Sequence, residues 1–263
     1  MRRAGDGATG PQRAFRGLFG TLVAAQVAYA YLPEQRRVTA TRAIVGLMLA
    51  TSATEAAAAR GPRRGAGLVG SAGALGFGAE LLGVATGRPF GHYTYSDKLG
   101  PRVGGVPLAA AAAWAMMARP SWVVARMICG GRRSRRALRV AVAAGALTAW
   151  DAFLDPRMAR EGYWTWPGGG RYEGIPASNF AGWLVTGAGV FAVWSALDRD
   201  DPGPADGSPG GDDGALALYL WTWVGEMFAN LVIWRRPRVA LAGGLAMGAF
   251  ALPALRARLR GGR

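Results

Sequence analysis

The chain has 263 residues, of which 51% are hydrophobic and 18% are charged, and its formal net charge is +15. The charges stand in short clusters between Ala-, Leu-, Val- and Gly-rich runs of about 17 to 22 residues, the length that spans a bilayer. Because arginines flank these runs, we attribute the basic charge to membrane topology and anionic lipid headgroups and expect no binding of nucleic acid. The single cysteine, Cys129, excludes an internal disulfide and any multi-cysteine metal site.

Eight apolar runs predict an all-α fold, a polytopic transmembrane helix bundle without a sheet. In chain order the runs are Phe15–Leu32, Arg42–Ala59, Ala66–Thr86, Val103–Ala118, Ala137–Leu154, Ala177–Leu197, Ala215–Trp234 and Val239–Leu255. The fourth is short and can continue past Arg119 and Pro120. Seven spans remain if the last run lies along the membrane surface. We expect a multi-pass protein of the cell membrane.

One polar tract interrupts this pattern, between spans six and seven. The stretch at 198–214 is acidic and rich in Pro and Gly, so it cannot bury a core and is predicted to be a flexible linker. It does not separate two folding units, and residues 1–263 are predicted to form a single integral membrane domain.

The distribution of arginines predicts which loops share a face of the membrane. The basic loop around Arg133, between spans four and five, is expected in the cytoplasm by the positive-inside rule. Parity then places the loops after spans three, five and seven together on the opposite face. The motif-rich loops that contain His92 and Trp164 follow spans three and five, so they should meet.

Four carboxylic acids stand near the ends of spans three, five and seven: Glu80, Asp151, Asp155 and Glu226. An acid at membrane depth costs about 2.5 to 3.5 kcal/mol, so such residues usually face a cavity and serve a function. Each of the four lies toward the end of its span that is predicted to point to the shared face. We therefore predict that they converge on one cavity as catalytic residues.

Asp151 and Asp155 are four residues apart and project from one side of a helix. Two carboxyl groups that close in a partly dry site do not both ionise easily, which predicts a protonated acid beside a carboxylate. The alternative is structural: Asp155 ends the helix before Pro156, and Asp151 pairs with Arg157 or Arg160. Structural alternatives also stay open for the other two acids. Glu80 can make a hydrogen bond within the core, and Glu226 can form a hydrogen-bonded pair with Asn230.

The two motif loops and the helix starts beside them supply candidate substrate-binding residues. They are His92, Tyr93, Tyr95, Trp164, Trp166, Tyr172, Asn179, Trp183 and Asn230. Their aromatic rings can line a pocket for a long apolar ligand and stabilise a cation, or they can form only an interfacial belt. Asn179 can alternatively cap its helix. A lone histidine without paired Cys/His spacing predicts no metal site, and no dinucleotide or phosphate motif predicts a cofactor.

Five short motifs occur in order: PFGHYTYSDKLGP, LDPRM, GYWTW, YEGIP and NFAGW. With them the sequence resembles the carotenoid 1,2-hydratase family, multi-pass membrane proteins that include the bisanhydrobacterioruberin hydratases. The resemblance runs from about Glu80 to Trp183 and continues more weakly through the span with Glu226 and Asn230. It implies addition of water to the terminal double bond of an acyclic carotenoid, which would give a tertiary alcohol.

The chemistry of that reaction suggests roles for the acids. Alkene hydration needs a proton donor and a base for the attacking water, but no metal, nucleotide or redox cofactor. We expect Asp151, or else Glu80, to donate the proton, and Asp155, helped by Asn179, to accept a proton from water. The expected partners are the acyclic carotenoid and the bilayer, with association to other carotenoid enzymes left open. The alternatives are a non-catalytic polyisoprenoid-binding protein and a metal-dependent isoprenoid lyase or transferase.

Overall fold

The computed structural model describes residues 10–130, 135–197 and 211–261. Within these ranges the chain forms the predicted helix bundle. The eight helices are α1 (Gly10–Tyr29), α2 (Glu34–Arg60), α3 (Pro62–Thr86), α4 (Leu108–Cys129), α5 (Arg136–Arg160), α6 (Ala177–Leu197), α7 (Asp213–Phe228) and α8 (Pro237–Gly261). The loop around Arg133 and most of the predicted linker at 198–214 lie outside the described residues, so the orientation of the chain stays a prediction.

Six of the described helices are long and apolar enough to cross a membrane: α3 to α6, α7 together with the π-helical turn Ala229–Ile233 that follows it, and α8. α1 and α2 do not meet the same measure, so eight helices are confirmed but eight spans are not. Large apolar side chains such as Val185 and Leu245 are about two-thirds exposed (66% and 67%). So much outward-facing apolar surface suits contact with lipid, and the protein is a helical membrane protein.

α4 lies at the centre of the bundle, in contact with α2, α3, α5, α7 and α8. Its alanine-rich first half presents little side-chain volume, and glycines of α3 face it. A Cβ atom at Gly73 would lie only 3.2 Å from the carbonyl oxygen of Ala111. Small residues on both surfaces let membrane helices approach closely. This close approach brings Trp114 of α4 against α3.

Two helix ends differ from the predictions. The fourth helix begins at Leu108 and not at Val103, and it continues past Arg119 and Pro120 to Cys129, as the sequence analysis allowed. The fifth continues through Pro156, so Asp155 does not end it. A proline inside a helix removes one backbone hydrogen bond, but membrane helices tolerate it because neighbouring groups satisfy the freed carbonyl.

The expectation of a bundle without any sheet is wrong. Strand β1 (Thr94–Tyr95) pairs with β4 (Trp164–Thr165), and β2 (Arg102–Val103) pairs with β3 (Val106–Pro107), all antiparallel. The backbone of a loop that covers a membrane protein still needs hydrogen-bond partners, and these short ribbons supply them. The β1–β4 ribbon joins the loop after α3 to the loop after α5, as their predicted shared face requires.

A buried ion pair holds α2, α4 and the start of α7 together. The Arg119 guanidinium donates through Nε to Glu55 Oε2 (3.0 Å) and through Nη2 to Asp212 Oδ1 (2.6 Å). Arg119 is fully buried and Glu55 is 3% exposed. A buried charge is tolerated when a bidentate partner faces it, so this cluster fixes three helices at one end of the bundle.

Candidate active site

Glu80 is buried near the end of α3 and accepts hydrogen bonds from three side chains. Trp114 Nε1 donates to Oε1 (3.0 Å), and the hydroxyls of Tyr95 (2.8 Å) and Tyr93 donate to Oε2. Gly76, one turn earlier, makes room for the indole, because a Cβ atom there would lie 2.1 Å from Trp114 Cγ. Three donors aimed at one carboxyl group form a binding site for a negative charge.

Burial and the nearby charge of Glu80 raise the pKa of both Tyr93 and Tyr95 above the ordinary phenol value. The two hydroxyls therefore keep their protons at physiological pH and remain donors to the carboxyl group.

Asp151 and Asp155 lie one turn apart on the buried face of α5, 0% and 2% exposed. The Asn179 side-chain amide lies between them: Nδ2 donates to Asp151 Oδ2 (2.8 Å) and to Asp155 Oδ2. Trp164 Nε1 donates to the other oxygen of Asp155 at 3.0 Å. Asn179 thus bridges the two acids from the first turn of α6, and its amide is occupied by them.

The β1–β4 ribbon explains why the donors to the two acid sites are neighbours. Tyr95 and Trp164 are directly opposite in the strand register, and their rings meet edge to face with centroids 5.7 Å apart. Side chains alternate between the two faces of a strand, so Thr94 and Thr165 point outward while the two aromatic residues point inward. One ribbon therefore supplies a donor to Glu80 and a donor to the Asp155 carboxyl group.

Between these acids lies a cavity of about 100 Å³. Its polar wall includes Glu80, Asp155, Asn179 and Glu226. The aromatic part of the wall consists of Phe90, Tyr93, Tyr95, Trp114, Trp150, Trp164, Trp166 and Trp183. Asp151 does not reach the wall, which differs from the prediction that all four acids face one cavity. It lies one turn before Asp155 on the same side of α5, and the rotation of the helix leaves it behind the wall.

Stacked indoles build the deep part of this wall. Trp183 of α6 stacks on Trp114 of α4 with ring centroids 4.1 Å apart, and Trp150 meets Trp183 edge to face at 6.0 Å. Trp166 donates through Nε1 to the Phe90 carbonyl oxygen at 3.2 Å, which holds the second loop against the first. The faces of these electron-rich rings can stabilise a cation inside the cavity.

Glu226 lies on the same wall but is part of a different polar group. Its Oε1 is 3.6 Å from Arg157 Nη1, and Arg157 Nε is 3.4 Å from Glu161 Oε1. Asn230, fully buried in the π-helical turn, donates to the Glu226 backbone carbonyl at 2.9 Å and to its Oε2 at 3.4 Å. The hydrogen-bonded pair considered from the sequence is present. Asn230 does not line the cavity, which differs from its prediction as a substrate-binding residue.

Two more predicted residues lie away from the cavity. His92 is exposed, and its ring packs over Gly87 at the left-handed end of α3, where a Cβ atom would lie 2.5 Å from the ring. Tyr172 donates to the Ala152 carbonyl oxygen at 2.7 Å and so ties its loop to α5. Burial raises the pKa of Tyr172 to about 12. The path of each loop places His92 and Tyr172 away from the cavity, and the sequence positions of the two residues do not predict that path.

Trp114 and Arg157 are site residues that the sequence analysis did not select. Trp114 is the one side chain with a hydrogen-bond donor in the alanine run at 109–115, and this pattern could have identified it. Arg157 stands in the LDPRM motif, and its guanidinium packs over the rings of Tyr29 (4.4 Å) and Trp234 (4.9 Å). Among the described residues, no group of three His, Cys, Asp or Glu side chains is placed to hold a metal ion.

The fold and the site define a multi-pass helical membrane protein with a buried acid cluster beside an aromatic cavity. A family model described as "Carotenoid biosynthesis protein" matches residues 17–250. The chain belongs to this carotenoid biosynthesis protein family.

The bisanhydrobacterioruberin hydratase of Haloarcula japonica is 32% identical to this chain over 113 residues. The match covers 43% of this chain and 38% of the length of that relative. No solved structure matches the chain.

Proposed function

We propose that the protein adds water to the terminal carbon–carbon double bond of an acyclic carotenoid, giving a tertiary alcohol. The observation that carries this proposal is the pair of carboxyl groups, Glu80 and Asp155, on the wall of a largely aromatic and aliphatic cavity. Membership of the carotenoid biosynthesis family and the similarity to a protein named as a hydratase support it.

The first step is protonation of the alkene, and the Asp151–Asp155 pair fits the role of the acid. Asp151 Oδ1 is buried and accepts no hydrogen bond from the described residues. A buried oxygen without a donor costs about 1 to 3 kcal/mol, and the penalty is larger for a charged carboxylate than for a neutral acid. The pair therefore favours holding one proton, which reaches the cavity through Asp155 because only that member lies on the wall.

Proton transfer to the less substituted alkene carbon leaves a tertiary carbocation on its neighbour. Trp114, Trp150 and Trp183 line the cavity, and cation–π attraction to such rings would lower the energy of a cation that forms inside it. The Glu80 carboxylate adds an opposite charge that is held in place before the reaction begins.

The second step is attack by water on the cation, with loss of a proton from the water oxygen. Glu80 fits the role of the base, because its three donors favour the carboxylate form. This division of roles differs from the expectation that Asp155 accepts the proton. Return of the proton from Glu80 to the aspartate pair restores the starting state, so alkene and water give alcohol with no other reactant consumed.

The test is expression in cells that accumulate lycopene, with mass measurement of the pigments. We expect a gain of one water in the wild type and none in Asp155→Asn. Asp97→Asn is the control, because this exposed carboxyl group lies in the loop between α3 and α4 and does not line the cavity. Purified protein in heavy water should place deuterium on the carbon beside the new alcohol.

Other results would favour the alternatives. A carotenoid that copurifies with unchanged mass, equally in wild type and Asp155→Asn, would indicate a binding protein. Conversion that a chelator abolishes and added metal restores would indicate metal-dependent chemistry. Absence of deuterium from the product would rule out protonation of the double bond.

A further inference from the structure

A second cavity, of about 140 Å³, lies between α1 and α7 and adjoins the acid cavity. Five residues line both: Gln26, Ile44, Arg157, Thr222 and Glu226. The two cavities are therefore neighbours, with these five side chains at their common boundary. This second cavity has no role in the two proton transfers described above.

The outer rim of the second cavity opens toward the lipid-facing surface. Val27 of α1 and Phe228 of α7 both line it, and they are 52% and 55% exposed. α1 packs mainly on α2, and across the cavity Trp221 Nε1 donates to Gln26 Oε1 at 2.6 Å. The boundary between α1 and α7 is thus apolar at its lipid-facing rim, and the hydrogen bond between Trp221 and Gln26 lies further in.

The size of the acid cavity limits what it can hold. A cavity of roughly 150 Å³ in another protein binds a single benzene molecule, and the acid cavity measures about 100 Å³. This volume admits at most the end group of a carotenoid, so the remaining polyene must lie elsewhere. The adjoining space toward lipid is the second cavity, and its apolar rim matches a hydrocarbon chain.

We propose that the opening between α1 and α7 is a lateral portal through which the polyene of the substrate extends into the bilayer while its end group contacts the acids. The proposal rests on the proposed function for the identity of the substrate. Ala30 lines the second cavity but not the acid cavity. The proposal predicts that this residue contacts the polyene of a long substrate and does not contact a short one.

The first experiment narrows the portal and compares two substrates. Ala30→Phe places a ring in the second cavity, and Ala28→Phe is the matched control on the exposed surface two residues earlier. We expect Ala30→Phe to lower lycopene conversion about tenfold or more, the scale of a hydrocarbon misfit in a pocket. It should leave conversion of 2-methyl-2-nonene, a short alkene with the same end group, close to wild type. Ala28→Phe should change neither.

Equal conversion of lycopene by Ala30→Phe and wild type would overturn the portal. Loss of both substrates in an inserted, equally abundant variant would also overturn it, because Ala30 would then act on the acid cavity itself. Gly225→Phe on the facing helix, with Val224→Phe as its control, repeats the comparison if Ala30→Phe does not accumulate.

The second experiment does not depend on hydration. A photoreactive benzoylphenylalanine at position 30 or at position 28 is irradiated in the full chain, in vesicles that contain lycopene. A lycopene adduct at position 30 that greatly exceeds the adduct at position 28 supports the portal even if the wild type proves inactive. Equal adducts at both positions, or adducts of phospholipid acyl chains alone at position 30, would contradict it.

Discussion

Tyr95 and Trp164 stand opposite each other in the β1–β4 ribbon and donate to two different buried acids, Glu80 and Asp155. The two loops that close the bundle are thereby fixed to each other and to the acid residues beneath them. Separation of the strands would withdraw both donors at once, so the loops act as one unit.

Removal of either aspartate of the pair should nearly abolish hydration. Loss of a positioned acid typically lowers the rate by about 10² to 10⁴, so Asp155→Asn and Asp151→Asn are both expected in that range. Pigment conversion at equal protein level is the measurement. If Asp151→Asn alone retained near-normal conversion, Asp155 would be the complete acid, and the shared proton would be refuted.

Tyr95→Phe should lower the hydration rate without unfolding the protein. A hydrogen bond to a charged group contributes about 1.5 to 3 kcal/mol, which corresponds to a loss of about tenfold or more if Glu80 acts as a carboxylate. Tyr172→Phe removes a part-buried hydroxyl that donates to a backbone carbonyl instead of an acid, and conversion should stay near that of wild type. Equal losses in the two variants would indicate a general packing effect.

Gly76→Ala should disturb the site through Trp114. The new methyl group would lie 2.1 Å from the indole Cγ, so the ring and its hydrogen bond to Glu80 must move. Gly78→Ala is the control on the same helix, since nothing lies within 4 Å of the added atom. We expect a clear loss of conversion in the first variant only, and unchanged activity in both would show that Trp114 is not needed there.

Arg119→Met should destabilise the bundle at the end away from the site. Breaking one side of a buried ion pair costs about 3 to 5 kcal/mol, because the partner charge, here Glu55, is left uncompensated. The double variant Arg119→Met/Glu55→Leu should recover part of the loss. Thermal unfolding in detergent measures both, and a double variant no more stable than Arg119→Met would contradict the pairing.

The sequence alone determined the helices and the position of each acid along its helix. Runs of apolar residues report helix length through the thickness of a bilayer, and the position of an acid within a run reports its depth. Parity of crossings placed the loops of Tyr95 and Trp164 on one face without any coordinates. The i,i+4 spacing likewise placed Asp151 and Asp155 on one side of α5.

Only the tertiary structure decided which side chains meet. Helix rotation set Asp155 on the cavity wall and Asp151 behind it, and a chain reversal turned His92 outward. Glu226 pairs with Arg157 across two helices, a contact that depends on how α5 and α7 pack. Such contacts arise from packing between distant segments and from strand register, whereas composition and periodicity specify only local structure and burial.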